Sequence, residues 1–139
     1  MIATTENTAY HTINKLRNFL SRTQYLVLRE LARGSEAKFF TERLSVIEAT
    51  IEKMPVTYDQ DGKGDAAIAH LHYFIGGSDF YIIEKDVEGE VEQATGYASI
   101  NGGDFELGYI SIREIVEAGA ELDLHWTPAP ISQVTQSRT

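Results

Sequence analysis

Residues 69–86, AHLHYFIGGSDFYIIEKD, decide the fold. From 69 to 75 apolar and polar side chains alternate, with Leu71, Tyr73 and Ile75 on one side and His70, His72 and Phe74 on the other. That is the period of a strand. Gly76-Gly77 then reads as a hairpin turn, and Phe80–Lys85 as a second strand rich in aromatic and β-branched residues. The length of the turn decides which side chains meet. A three-residue turn, 76–78, sets His70 opposite Glu84 and His72 opposite Ile82; a two-residue turn sets His70 opposite Ile83. Both registers stay open at this level.

Downstream, VEGEVE at 87–92 is an acidic turn, QATGYASI at 93–100 a third strand, and NGGD at 101–104 a further hairpin turn. Gly96 inside the third strand points to a bulge or a close backbone approach. FELGYI at 105–110 forms a fourth strand. Ser111 and Glu114 form a capping box for a short helix reaching about Ala118, and ELDLHW at 121–126 is a fifth strand stopped by Pro128 and Pro130.

Upstream, Ile13, Leu16 and Leu20 recur at helical spacing, Ser21 with Gln24 opens a second helix, and Ser35 caps a third. Phe40, Leu44, Ile47, Ile51 and Met54 form the cleanest helical stripe, closed by Pro55. The class is therefore α+β: about three N-terminal helices, 8–54, packed on an antiparallel sheet of about five strands with one short helix before the last strand. Phe39 is the residue expected to be left as spare apolar surface. Residues 1–128 read as a single domain, with 56–127 its β-rich part and 129–139 a disordered tail.

The charge is divided unevenly. Residues 1–55 carry 8 Lys/Arg against 6 Asp/Glu, whereas 56–127 carry 3 against 15, within a chain of net charge −9. An acidic body of this kind repels nucleic acid and anionic membrane and attracts basic partners. The chain has no cysteine, which excludes a disulfide framework, a zinc ribbon and a thiol nucleophile and suits a reducing, cytoplasmic setting. No stretch approaches the ~20 apolar residues that cross a bilayer, and MIATTENTAYHTINKLRNFL is not a signal-peptide pattern.

Three sets of residues are candidates for function. His70, His72, Glu84, Asp86, Asp123 and His125 offer nitrogen and oxygen ligands for a divalent zinc, iron or manganese ion, provided the register gathers them. Against this stands the plain reading of a polar, solvent-facing sheet surface. Glu84, Asp86, Glu88, Glu90, Glu92, Asp104 and Glu106 are candidates for an acidic interaction surface. DQDGKGD at 59–65 resembles a calcium loop, but Lys63 falls where an oxygen ligand is needed and His70 where a bidentate Glu is needed, so a turn is the better reading. Phosphate-binding, dinucleotide, nucleophile-elbow and zinc-protease motifs are absent, and no catalytic residue is assigned.

The pieces MPVTYDQDGKGDAAIAHLHYF, GGSDFYIIEKD, ATGYA, ELGYISIREI and ELDLHWTP, in this order over about residues 54–128, resemble a family of short uncharacterised bacterial proteins, a domain of unknown function often carried by phages and plasmids. The resemblance implies that Glu84, Asp86, Gly96, Glu106, Gly108, Tyr109, Asp123 and His125 are characteristic, and that Phe80 stands where many relatives have Trp. It implies a mobile-element setting. The expected function is a small acidic interaction protein, more a binder than an enzyme, that engages a basic host protein or complex and inhibits a host defence system in its most specific form. A metal-binding module and a structural or homodimerising domain using the α-helical stripe are the alternatives.

Overall fold

The computed structural model describes residues 5–136. Three helices come first: α1 (Thr5–Lys15), α2 (Arg22–Leu31) and α3 (Ala37–Lys53). The Ser21 hydroxyl caps α2 by accepting the Gln24 N–H at 3.1 Å, satisfying one of the otherwise unpaired first-turn amides. α3 begins at Ala37 after Glu36, which supplies no side-chain cap; Ser35 does not hold that position. Leu44, Ile47, Ile51 and Met54 of its stripe are buried, and Phe40 packs against the same core.

The strands are β1 (Ile68–Ala69), β2 (Leu71–Ile75), β3 (Ser78–Asp86), β4 (Glu90–Ser99), β5 (Glu106–Ile110), β6 (Glu121–Leu122) and β7 (Ala129–Pro130), with α4 (Ile112–Glu117) before β6 and α5 (Ile131–Gln136) last. Five strands form one antiparallel sheet in the order β5-β4-β3-β2-β6, and β1 pairs with β7 in a second, two-stranded sheet. The fold is α+β. Ser111 caps α4 through the Glu114 N–H at 3.1 Å.

The hairpin has the two-residue turn. His72 lies opposite Tyr81 and Ile75 opposite Ser78, with Gly76 at φ +56°, a conformation such turns require and glycine adopts without strain. On one face of the sheet Leu71, Tyr73, Ile82, Ala94, Ile110 and Leu122 join the helices in a single core. The buried Tyr73 hydroxyl donates to the Phe19 carbonyl at 2.6 Å. Gln24 of α2 forms a two-way amide pair with the backbone of Leu122, both bonds 2.8 Å, so a helix side chain supplies partners to the short strand β6.

Two further expectations are corrected here. The strand expected over 121–126 ends at Leu122. The Asp123 N–H donates to the His72 carbonyl and its Oδ1 accepts the His125 N–H, a side-chain turn that competes with strand continuation. Residues 129–136 are no disordered tail. Ala129 and Pro130 pair with Ala69 and Ile68, and buried Ile131 and Val134 join Ala67, Ala69, Tyr81 and Ile83 in a second core on the other face of the sheet. Trp126 packs against this core and donates its indole N–H to the Ala69 carbonyl at 3.0 Å. Among the described residues, no helix is long and apolar enough to cross a membrane.

Candidate functional site

The site grows from an irregularity in the β3–β4 ladder. Ile82 lies opposite Gly96, but Glu84 lies opposite Thr95, so one extra residue of β3 is accommodated between them. Such a bulge re-aims the side chains that follow it. Strict alternation would turn Glu84 to the helix side with Ile82. The bulge sends it to the opposite face instead, beside Ile83, where it is 2% exposed.

There the carboxylate organises the loop after α3. Its Oε1 accepts the Tyr58 N–H at 3.0 Å and its Oε2 the Gln60 N–H at 2.5 Å. Gln60 is itself buried and ties the loop to Ile68 and Ile83 through three more hydrogen bonds. Tyr58 has φ +75°, a left-handed conformation costly for a side chain of its size. Glu84 and the Asp59 carboxylate, which accepts the Val56 N–H at 3.0 Å, hold the loop in that shape.

Between this loop and strands β3–β5 lies an open cleft of about 220 Å³. Tyr58, Tyr97 and Tyr109 line it with Glu84, Thr95 and Asp61. The hydroxyls of Tyr58 and Tyr109 meet at 2.7 Å across its mouth, both rings being largely exposed. The Thr95 hydroxyl oxygen is buried and has no hydrogen-bond partner. The charged residues that line the cleft are the acids Glu84 and Asp61, with no Lys or Arg among the lining. Its hydrogen bond to Tyr58, and further the charge of Glu84, raise the Tyr109 hydroxyl above the ordinary tyrosine range. Burial first, and then the charge of Asp65, raise that of Tyr97.

The six candidate metal ligands are not gathered. His72 lies between two carboxylates, Nε2 at 2.8 Å from Asp79 and Nδ1 at 2.9 Å from Asp123, and stacks on Tyr81 at 4.6 Å. Both ring nitrogens are thus engaged by carboxylates of the fold. Glu84 is held by the loop amides, and Asp86 accepts the Glu88 N–H at the far end of β3. His70 is half-buried, and burial lowers its pKa. His125 is exposed and tilts against exposed Phe39 at 6.0 Å, the residue expected to be left on the surface. Among the described residues, no three His, Asp or Glu side chains are placed to hold a metal ion.

The acidic set is also divided. Glu84 is buried, so it is no surface contact. Glu88, Glu90 and Glu92 lie at the β3–β4 turn, while Asp104 precedes β5 at the opposite end of β4 and Glu106 opens β5. Glu92 is paired with Arg113 at 2.9 Å. The residues missed from the sequence are Tyr58, Thr95 and Tyr97. The available signal was Gly96 within a strand, which marks the irregularity beside them. Comparison with protein-family models, curated proteins and solved structures finds no match for the chain.

Proposed function

We propose that this chain is a small acidic interaction protein that acts by binding a basic protein rather than by catalysing a reaction. The observation that carries this reading is the uncompensated charge of the β-rich part. Its 15 carboxylates face only 3 Lys/Arg, and two of those cations are already engaged. Arg113 is paired with Glu92 and Glu117. Lys85 donates to the Ile51 carbonyl and lies 3.9 Å from Glu90. The remaining field favours association with a cationic surface and disfavours nucleic acid.

The resemblance to proteins of phages and plasmids supports a host protein as the partner, in a cytoplasmic setting, with a defence complex as the most specific case. The distribution of the carboxylates favours a broadly acidic body over a single DNA-like stripe. Binding to polylysine at low salt, and its weakening as salt is raised, tests the reading; the expected loss is steep because surface charges are screened over about 10 Å at 0.1 M. Affinity capture from host lysate at low and high salt then identifies the partner. Absence of polylysine binding at low salt, or binding indifferent to salt, overturns the proposal.

A further inference from the structure

The cleft between the 57–67 loop and strands β3–β5 contains a set of groups that the fold alone does not use up. Glu84 is 2% exposed, yet among the described residues no Lys, Arg or His forms an ion pair with it. Two backbone amides offset part of its charge. Buried carboxylates ordinarily have a cation as well. Beside it, the buried Thr95 hydroxyl has no partner, although buried polar side chains are normally hydrogen-bonded. Both residues line the same cavity, together with Tyr58, Tyr97 and Tyr109.

We propose that this cleft binds a primary alkylammonium group, with its charge held by Glu84 and Thr95 and its methylene chain lying between the tyrosines. Each wall feature selects for that chemistry. A carboxylate attracts a cation and repels an anion, and neighbouring tyrosines favour a cation further. An apolar cleft accepts a methylene stem, which amphipathic side chains bury while placing their charge on polar atoms. A guanidinium fits less well. Its planar fork wants two parallel acceptor positions, and both oxygens of Glu84 already accept a backbone N–H. An ammonium needs only separate single acceptors in a tetrahedral arrangement, which one carboxylate oxygen and one hydroxyl oxygen begin to supply. The ligand is either a lysine side chain, in which case the site rests on the basic-partner reading above, or a free small amine.

The test is an NMR titration of the full chain with Nα-acetyl-lysine amide and, separately, with its uncharged norleucine counterpart. The lysine probe is expected to shift the resonances of Tyr58, Thr95, Tyr97 and Tyr109 and to saturate at roughly millimolar concentration, while the norleucine probe shifts them little. Thr95→Val keeps the shape and replaces an unpartnered hydroxyl by a methyl, so it is expected to fold normally and to weaken the lysine probe about tenfold. Equal shifts from the two probes, or unchanged binding by the folded Thr95→Val protein, overturn the proposal. Butylamine and a lysine-containing peptide separate the two sources: tighter binding of the peptide assigns a protein side chain, and equal or weaker binding assigns a free amine. Polylysine binding with cleft resonances that neither polylysine, the lysine probe nor butylamine moves overturns this site and spares the acidic-binder reading. Butylamine shifts without polylysine binding do the reverse.

Discussion

Glu84 lies opposite Thr95 across β3 and β4, one residue out of the register set by Ile82 and Gly96. That single offset turns a carboxylate from the helix-covered side of the sheet to the side where the 57–67 loop closes over it. The bulge thus creates both the anchor of the loop and the negative end of the cleft.

The offset depends on Gly96. A Cβ there would lie 2.2 Å from the Tyr81 carbonyl oxygen and 3.0 Å from its carbonyl carbon. Neither atom belongs to a flexible side chain, so the strands would have to part. Gly96→Ala is expected to destabilise the protein by about 3 kcal/mol or more, since forced backbone movement in a packed core belongs to the costliest substitutions. Urea unfolding measures it. A loss below about 1 kcal/mol would show that the strands accommodate the methyl group.

Glu84→Gln tests the anchor. The amide keeps the shape but offers one oxygen and one NH₂, so one of the Tyr58 and Gln60 amides meets a donor instead of an acceptor. Leaving a buried N–H unpaired costs about 1–3 kcal/mol. The effect should be local, because Tyr58 is already in a strained conformation. Hydrogen exchange at the Tyr58 and Gln60 amides should accelerate far more than in β2 and β4. Uniform acceleration throughout the sheet would indicate global destabilisation without a specific loop anchor.

Removing residues 129–139 tests the second core. The deletion strips Ile131 and Val134 from Ala67, Ala69, Tyr81 and Ile83 and unpairs β1. Burial of each large apolar side chain contributes about 1.5–3 kcal/mol, partly offset by the ordering of the segment, so a net loss on the order of 3 kcal/mol is expected. Thermal unfolding measures it; an unchanged midpoint would refute the structural role of this segment.

This segment also marks the limit of what the sequence shows. The α3 stripe, the Ser21 and Ser111 caps, the Gly-Gly hairpin and the short helix before the last strand were legible because each rests on neighbours within a few residues. The need for close approach at Gly96 was legible for the same reason. Ile131 and Val134 were not, since their polar neighbours hide two apolar residues whose buried partners Ala67, Ala69, Tyr81 and Ile83 lie more than 40 residues away. The Glu84–Thr95 pair was hidden for another reason: strand alternation predicts a face only while the register is regular, and a bulge reverses it without altering composition.

His72 joins three parts of the chain: β2 through its backbone, Asp79 across the hairpin, and Asp123 after β6. His72→Gln is expected to lose one of the two contacts and the stacking on Tyr81, at a cost of about 1–3 kcal/mol. Trp126, the only tryptophan, lies 5.4 Å from the His72 ring. Its fluorescence should therefore shift and broaden in the folded variant. An unaltered spectrum would show that Asp123 and Trp126 are positioned without His72.

His70 supplies a pH dependence of opposite sign to that of a paired histidine. Burial disfavours its cation, so its folded pKa lies below the ordinary histidine value of 6.5. The unfolded chain then binds the proton more readily, and stability rises with pH wherever that holds. The contribution is fully present above the unfolded value, declines as pH falls from 6.5 toward the depressed folded value, and levels off below it. Three other histidines, His11, His72 and His125, are present, so the measurement is a difference between two proteins that share them. Unfolding free energies of the wild type and of His70→Asn, compared between about pH 7.5 and 5, should diverge with the wild type losing more stability on acidification. A difference that stays constant across the range, or that grows in the wild type's favour as pH falls, would mean that the folded protein accommodates a charged His70 without penalty.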